Sequence, residues 1–257
     1  MSELSAIDVN VDMGESFGRW SLGDDAALMP YISSANIACG FHAGDPGSMR
    51  RTVAAAVEHG LQIGVHVALP DLLGFGRRQM SVAAGDLTDY CTYQIGALAA
   101  FAQAEGGSLA HVKPHGALYA MASKDRELAE AIARSVAEFD ADLTLLLLRS
   151  DVAPAVEKHG VRLVTEAFPD LAYDPDGSLV IEAVKQAWDP QEVAARAVRA
   201  ARERRIAAND GTDIELDAPT ICLHGDAPNA ADVVRAVKAG LEDAGVSVTP
   251  LARILAG

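Results

Sequence analysis

The sequence predicts an α/β fold of parallel strands joined by helical crossovers, close to a TIM barrel. Short apolar segments alternate with longer amphipathic segments along all 257 residues, an order typical of a parallel sheet covered by helices. Polar side chains also cluster where several predicted strands end, which is where barrels of this kind carry their chemistry. No low-complexity linker interrupts the pattern, so one domain is expected over residues 1–257.

The predicted elements alternate in the order strand, helix, strand. The seven strands are short apolar runs: Ile7–Asp12, Ala35–Gly40, Gln62–Val67, Leu109–Lys113, Leu143–Leu148, Arg162–Glu166 and Thr220–His224. The helices have helical periodicity: Pro46–Glu58, Asp86–Ala104, Asp125–Glu138, Val152–Lys158, Pro190–Ile206 and Ala230–Ala244. Between the last two helices, Asn209–Thr212 predicts the turn of a small hairpin.

Helix boundaries carry their own signals. Asp45-Pro46 and Asp189-Pro190 each place an N-cap carboxylate before a proline in the first helical position. His59-Gly60 and His159-Gly160 are typical of helix ends, because glycine adopts the left-handed cap and histidine favours the negative end of the dipole. Two of the seven histidines thus have a structural explanation, and the other five follow predicted strands or lie on them.

The charge balance disfavours two classes of partner. Lys and Arg number 21 against 36 Asp and Glu, a formal charge of −15 at pH 7. An acidic surface repels nucleic acid and anionic membranes. The first residues do not resemble a secretory signal, and no apolar run approaches the ~20 residues of a membrane span. With three cysteines in no paired motif, the expected location is the cytoplasm.

Carboxylates and amides follow the first two strands. Asn10 and Asp12 share one face of the first strand, and Glu15 follows in a glycine-rich segment. Two carboxylates at this spacing are suited to binding a metal or acting as a base, and the alternative is a capping turn. Asn36 on the second strand and His42 after it are candidate binding and catalytic residues, respectively.

Cations and imidazoles follow the third and fourth strands. His66 ends the third strand, and the loop after it carries Arg77 and Arg78, which could bind a carboxylate or phosphate or simply be solvated. Lys113 and His115 form the densest site. A lysine on a buried strand is costly unless it is paired or functional, so we predict that at least one of these two is catalytic. The alternative is a buried ion pair with Asp12 or Glu15.

Further polar groups follow the last two strands. Glu166, Asp170 and Tyr173 come after the sixth strand, and His224 and Asp226 after the seventh. Glu166, Tyr173, His224 and Asp226 are predicted to bind substrate, and all are expected on the same rim as the other polar groups.

Several long segments resemble the LamB/YcsF family. The principal matches are Asp8–Gly18, Ser33–Pro46, Pro70–Arg78 and His111–Tyr119, continued at Gln94–Leu98, Asp176–Leu179 and Cys222–Asp226. This resemblance covers nearly the full chain. It implies an irregular seven-stranded β/α barrel of the glycoside hydrolase and deacetylase type. The implied activity is a hydrolase reaction, the ATP-dependent cleavage of the cyclic amide 5-oxo-L-proline to L-glutamate, carried out with two partner subunits, B and C.

Two cofactors follow from the resemblance. ATP would act through the complex, since the sequence has no Walker P-loop and no Gly-x-Gly-x-x-Gly after a strand. A looser similarity to YdjC-like deacetylases implies a divalent metal ion, because Asp12, His66 and His115 occupy places comparable to its ligands there. Two other functions stay open: a stand-alone metal-dependent sugar N-deacetylase, and a non-catalytic substrate-binding subunit. A homo-oligomer is also open.

Overall fold

The chain forms two compact units, each built from segments distant in sequence. The structure, a computed structural model, describes residues 4–148, 150–180 and 186–256. The first unit consists of Met1–Asp12, Gly23–Ala35 and Thr165–Gly257, and the second of Met13–Leu22 and Asn36–Val164. The single domain expected over residues 1–257 stays a prediction.

The described strands are between two and eight residues long. Their bounds are β1 Ala6–Met13, β2 Ser34–Ala38, β3 Gln62–Val67, β4 Leu109–Pro114, β5 Thr144–Leu146, β6 Arg162–Val164, β7 Glu166–Ala167, β8 Arg205–Ala207, β9 Asp213–Glu215, β10 Thr220–His224 and β11 Ser247–Val248.

The described helices lie between these strands. Their bounds are α1 Asp25–Leu28, α2 Pro46–Glu58, α3 Ala84–Ala104, α4 Gly116–Ala122, α5 Arg126–Asp140, α6 Ala153–Glu157, α7 Pro190–Glu203, α8 Ala230–Asp243 and α9 Leu251–Ala256. Within the described ranges, no helix has both the length and the apolar character needed to cross a membrane.

The second unit contains a parallel sheet in the order β3, β4, β5, β6. All of β5 and nearly all of β3 are buried, as expected when helices cover both faces of a parallel sheet. Helix α5 buries Leu128, Ile132 and Val136 at helical spacing. The predicted alternation of strands and helices is confirmed in this unit.

The first unit contains parallel strands in the order β11, β1, β10, β7. The register places Asp8 beside Thr220, Asn10 beside Cys222 and Asp12 beside His224. Since every second strand residue points to the same face, these polar pairs lie on one face of the sheet. Strands β8 and β9 form the predicted hairpin.

Several predicted bounds differ from the structure by one to three residues, and two of the differences have a clear structural cause. The sixth predicted strand is divided, because β6 pairs with β5 whereas β7 pairs with β10. Helix α7 ends at Glu203 rather than Ile206, because Arg204 has a left-handed φ of 53° and the chain then enters β8. Helices α1, α4 and α9 are missing from the predicted set, since their four to seven residues are too few to show a helical period.

The predicted helix signals are confirmed. The carboxylate of Asp45 accepts the Ser48 N–H at 2.8 Å, and that of Asp189 accepts the Gln191 N–H at 2.8 Å. Gly60 and Gly160 adopt left-handed φ values of 68° and 81° directly after helix ends.

A histidine ring lies across Gly64 of β3. The His111 Nε2 is 2.6 Å from Asn36 Oδ1, and a Cβ built on Gly64 would lie 2.0 Å from the same nitrogen. The ring therefore fills the space that any side chain at this position would need. Both Asn36 and His111 are buried, so the bond between them is shielded from water.

Replacing Gly64 with Ala is expected to lower the free energy of unfolding by about 1–3 kcal/mol, because the added methyl displaces the His111 ring and breaks its bond to Asn36. Urea unfolding measures the change. The matched control is Gly96→Ala in α3, where an added Cβ meets nothing within 4 Å. That control should gain about 0.5–1 kcal/mol from helix propensity. A Gly64→Ala variant as stable as the wild type would contradict the packing of the His111 ring against Gly64.

Candidate active site

Four polar side chains meet in the second unit. Glu15 follows β1, His42 lies between β2 and α2, His66 is the penultimate residue of β3, and His115 follows β4. We call these four residues the histidine cluster. None is more than 6% exposed, and one donor atom from each lies within 4.8 Å of the others. Four predicted site residues are thus brought together.

The rings of the histidine cluster are closely packed. His42 and His115 stack face to face with centroids 3.7 Å apart, and His66 stands edge-on to both. One oxygen of the Glu15 carboxylate lies 3.2 Å from His42 Nε2 and 3.8 Å from His115 Nδ1. Glu15 is therefore the carboxylate beside the histidines within this unit.

Hydrogen bonds fix the protons on His66 and His115. The His66 Nδ1 lies 3.1 Å from the Lys113 carbonyl oxygen, and the His115 Nε2 lies 2.8 Å from the Phe75 carbonyl oxygen. A carbonyl oxygen only accepts, so both nitrogens carry hydrogen. In a neutral ring the second nitrogen then carries a lone pair. These second nitrogens, His66 Nε2 and His115 Nδ1, are 2.9 Å apart.

Two lone pairs at this distance repel each other unless a cation lies between them. The cation is either an extra proton, which makes one ring an imidazolium, or a metal ion bound to both nitrogens. Histidine ligands of metals usually donate their other N–H to a carbonyl or carboxylate, as His66 and His115 do. The nearby carboxylate of Glu15 supplies negative charge that stabilises either cation.

The donor atoms fit a four-coordinate divalent ion such as Zn²⁺. With bonds of about 2.0–2.1 Å, tetrahedral ligand atoms are about 3.3 Å apart. Three separations between donor atoms in the histidine cluster are 2.9, 3.2 and 3.8 Å, and each of the four residues has one donor atom within 4.8 Å of the others. Such an ion would be held by His66, His115 and Glu15, with His42 as the fourth donor. The predicted set of Asp12, His66 and His115 instead draws residues from both units.

A tight loop over residues 71–78, here called the β3 loop, holds His115. Its carbonyl at Phe75, which accepts from His115, belongs to a residue with a left-handed φ of 52°. A Cβ on Gly76 would lie 2.6 Å from His115 Cδ2. The loop thus approaches the ring more closely than any residue except glycine allows.

The β3 loop is closed by an ion pair between its ends, in which the Asp71 carboxylate is buried and the Arg78 guanidinium is exposed. The Asp71 carboxylate accepts the backbone N–H groups of Gly74 and Arg78 at 3.0 and 3.2 Å, and the Arg78 guanidinium as well. The bond from Arg78 holds the pKa of Asp71 below its ordinary value. Arg77 instead places its guanidinium 5.0 Å from the centre of the Phe75 ring. The two arginines of the predicted anion site therefore have different surroundings.

Lys113 is buried beside the histidine cluster. It lies in register with His66 on the neighbouring strand, and its carbonyl oxygen fixes the His66 tautomer. Its side chain is 2% exposed. The sequence-based expectation that this lysine is paired or functional stays a prediction.

A second polar group lies in the first unit, and we call it the β10 group: Asp12, Asp170, Cys222 and His224. The His224 Nδ1 lies 3.0 Å from Asp170 Oδ2, which also accepts the His224 backbone N–H at 3.0 Å. The opposite ring nitrogen is 3.9 Å from Asp12 Oδ2. Asp170 therefore fixes the ring so that its Nε2 faces Asp12.

Two predicted substrate residues lie deep in the first unit. The Asn10 amide donates to Thr220 Oγ1 at 2.7 Å and to Glu166 Oε2 at 3.4 Å. Below it, the Asp8 carboxylate accepts hydroxyl hydrogen bonds from Ser33, Ser34 and Thr220. Burial raises the pKa of Asp8, and these hydroxyl bonds oppose the rise.

The other two predicted residues of this unit differ in exposure. Tyr173 is fully buried, and its hydroxyl accepts the Phe168 backbone N–H at 2.9 Å, which ties its loop to the end of β7. Burial raises the pKa of this hydroxyl. Asp226 is partly exposed two residues after β10.

Sequence reasoning missed the residues that orient others. Asp71, the Phe75 carbonyl and the pairing of Asp170 with His224 are absent from the predicted catalytic set. A signal existed for Asp71, because opposite charges at positions 71 and 78 enclose a glycine-rich turn. Backbone carbonyls give no signal in a sequence, since every residue has one.

Comparison with known proteins agrees with the resemblance of the motifs. The model of the LamB/YcsF family matches residues 7–256. The chain belongs to this family. A relative from Tolumonas auensis, named as the A subunit of 5-oxoprolinase, is 48% identical over 248 residues, which is 95% of this chain and 99% of the relative. The name of this relative indicates that it is one subunit of an enzyme with several subunits.

Solved structures show the fold. The crystal structure of a lactam utilization protein from Thermus thermophilus is 45% identical, with a TM-score of 0.89 over 96% of this chain and 100% of that one. A family 4 carbohydrate esterase from Streptomyces lividans, 12% identical, has a TM-score of 0.51 over 95% of this chain and 91% of the other. The predicted fold class, an α/β fold of the TIM-like deacetylase type, is confirmed for this LamB/YcsF member.

Zn²⁺ is expected to bind the purified chain at one equivalent and to raise its melting temperature, since an ion that binds only the folded state stabilises it. His66→Ala and His115→Ala should abolish both effects, because each removes a lone pair directed at the ion. His59→Ala, at the end of α2, should behave as wild type. Calorimetric titration and thermal melting measure the two effects. If neither binding nor a raised melting temperature is observed with Zn²⁺, Mn²⁺ or Ni²⁺, the cation between His66 and His115 is a proton and not a metal ion.

Proposed function

We propose that this chain is the A subunit of an ATP-dependent 5-oxoprolinase, which hydrolyses 5-oxo-L-proline or a closely related cyclic amide. The observation that carries the proposal is that the unprotonated nitrogens of His66 and His115 face each other beside the carboxylate of Glu15. Relatives of similar length are named as the A subunit of 5-oxoprolinase, and a related structure is called a lactam utilization protein.

The proposed chemistry overcomes the stability of the amide. A phosphoryl group from ATP is transferred to the lactam oxygen, and ADP is released. Water then adds to the activated carbon and loses a proton to a carboxylate. The C–N bond breaks as the ring nitrogen takes up a proton, which leaves an acyl phosphate of glutamate. A second water hydrolyses this acyl phosphate, so the products are L-glutamate and inorganic phosphate. Phosphorylation turns the amide oxygen into a leaving group.

The histidine cluster supplies charge and a base in this scheme. Glu15 accepts the proton of the attacking water, with Asp12 as the alternative base. Lys113 and His42 stabilise negative charge that develops on the reacting group. His66 and His115 hold the cation, and a divalent ion there would act as a Lewis acid. His115 can also carry a proton.

Other residues are proposed to bind the substrate and return the proton. In the first unit, His224, oriented by Asp170, is suited to proton transfer. Arg77 is suited to the substrate carboxylate, whereas Arg78 contributes by holding the β3 loop. The remaining proposed substrate contacts are Asn10, Asn36, Glu166, Tyr173 and Asp226.

ATP and the partners complete the proposed enzyme. Partner subunits B and C would bring the nucleotide site, because no nucleotide motif is found in this sequence. The proposed location is the cytoplasm, where ATP is abundant and the three free cysteines stay reduced. A homo-oligomer of this chain stays a prediction.

Glu15→Gln is expected to lower ATP-dependent release of glutamate from 5-oxoproline by about 10²–10⁴-fold in the complex with subunits B and C, because it removes the proposed base. His66→Ala should be similarly impaired. His59→Gln is the control and should keep wild-type turnover. Full activity of complexes carrying Glu15→Gln and Asp12→Asn would show that this chain is not catalytic.

One observation also favours a metal-dependent N-deacetylase, since the convergent lone pairs of His66 and His115 suit a metal ion without any need for ATP. Acetate release from chito-oligosaccharides by the chain alone, with Zn²⁺ and without ATP, measures this activity. The 5-oxoprolinase proposal predicts no such release. Strong ATP-independent release, with no lactam hydrolysis in the complex, would overturn it.

A further inference from the structure

Large apolar side chains are exposed beside the histidine cluster. Of the seven that are exposed in the described part of the chain, five lie in residues 16–22 and 72–80: Trp20, Leu22, Leu72, Leu73 and Met80. We call these two segments the rim segments. Leu73 is 95% exposed and Trp20 is 68% exposed. Apolar side chains concentrated in this way mark interaction sites.

Both rim segments border the same two imidazoles. Glu15, directly before the first segment, contacts His42 and His115. Phe75, within the second segment, packs edge-on against the same rings at 5.6 and 5.2 Å. The two segments that carry most of the exposed apolar residues therefore adjoin the histidine cluster in sequence and, through Glu15 and Phe75, in contacts.

The rim segments are held in place by their own bonds. Phe17 and Trp20 exchange two backbone hydrogen bonds of 3.0 and 2.8 Å, and their rings stack at 6.1 Å. The Gly18 N–H donates to Asp45 Oδ2 at 2.7 Å, at the start of α2. The second segment is closed by Asp71 and Arg78. A surface ordered in advance loses little entropy when it binds.

Charge in the rim segments has the opposite sign to that of the whole chain. They contain Arg19, Arg77 and Arg78 and no acidic residue, whereas the chain carries −15. Arg78 is paired with Asp71, yet 65% of its side chain is exposed. The rim thus combines apolar and cationic groups on an otherwise acidic molecule, which selects for a partner with acidic groups around an apolar face.

We propose that the rim segments are the docking surface for a different chain, a partner subunit of the same enzyme whose apolar face is bordered by acidic side chains. A second copy of this chain fits less well, because a symmetric dimer through this surface would set arginine against arginine. The inference rests on the proposed function, since it takes the partner to be a 5-oxoprolinase subunit. Docking here would cover the histidine cluster and exclude water from it.

The test separates binding from turnover. Purified subunits B and C from the same organism are titrated with wild type, with Trp20→Ser/Leu73→Ser and with Phe139→Ser, and dissociation constants are measured by calorimetry. Phe139 is a matched control, since it is 47% exposed at the end of α5 that leads into β5, away from the strand ends that carry the cluster. Turnover of 5-oxoproline with ATP is measured on the same samples.

The double variant is expected to bind at least about tenfold more weakly than wild type, because it removes the two most exposed apolar side chains of the rim segments. Phe139→Ser should bind as wild type, and excess partner should restore the turnover of the double variant. Arg19→Glu should weaken binding most at low salt.

Two results would overturn the proposal. One is wild-type affinity of the double variant, and the other is a change in self-association of the chain without a change in partner binding. If wild type binds the partners through the rim but fails to hydrolyse 5-oxoproline, the proposed function is wrong and the docking surface stands. If wild type does not bind the partners at all, both fail.

Discussion

The arrangement of the second unit depends on two imidazole nitrogens that face each other at 2.9 Å, on His66 and His115. Their other nitrogens donate to backbone carbonyls, so neither ring can turn its N–H toward the other without losing a buried hydrogen bond. A lost bond of this kind costs about 1–3 kcal/mol. The protein therefore holds a place for a cation between two neutral ligands, next to the carboxylate of Glu15.

The surrounding structure maintains this constraint by several independent contacts. The carbonyl for His66 comes from the strand beside it, at the residue in register with it. The carbonyl for His115 comes from the β3 loop, where Asp71 bonds the chain at both ends of a tight turn. Disturbing Asp71 would therefore act on the histidine cluster without replacing any of its four residues. In the first unit, Asp170 has the same orienting effect on His224.

Much of this was accessible from the sequence because strand ends in a parallel α/β fold converge. The positions of His42, His66 and His115 followed from their place after apolar runs, and the helix starts at Asp45 and Asp189 followed from capping chemistry. The sequence did not predict which carboxylate lies beside which histidine. Glu15 lies with the histidine cluster and Asp12 with His224, although only three residues separate them. That division depends on contacts distant in sequence, which local patterns do not encode. The tautomers depend on backbone carbonyls, which residue identity does not reveal.

The protonation of the two rings is the most direct test of this account. Nitrogen-15 NMR of the histidine-labelled chain, with His66→Gln and His115→Gln variants for assignment, reports which nitrogen of each ring carries hydrogen. The account predicts hydrogen on Nδ1 of His66 and on Nε2 of His115, with the facing nitrogens bound to a metal ion or sharing one additional proton. A neutral His66 with hydrogen on Nε2 and an unprotonated Nδ1 would contradict this account.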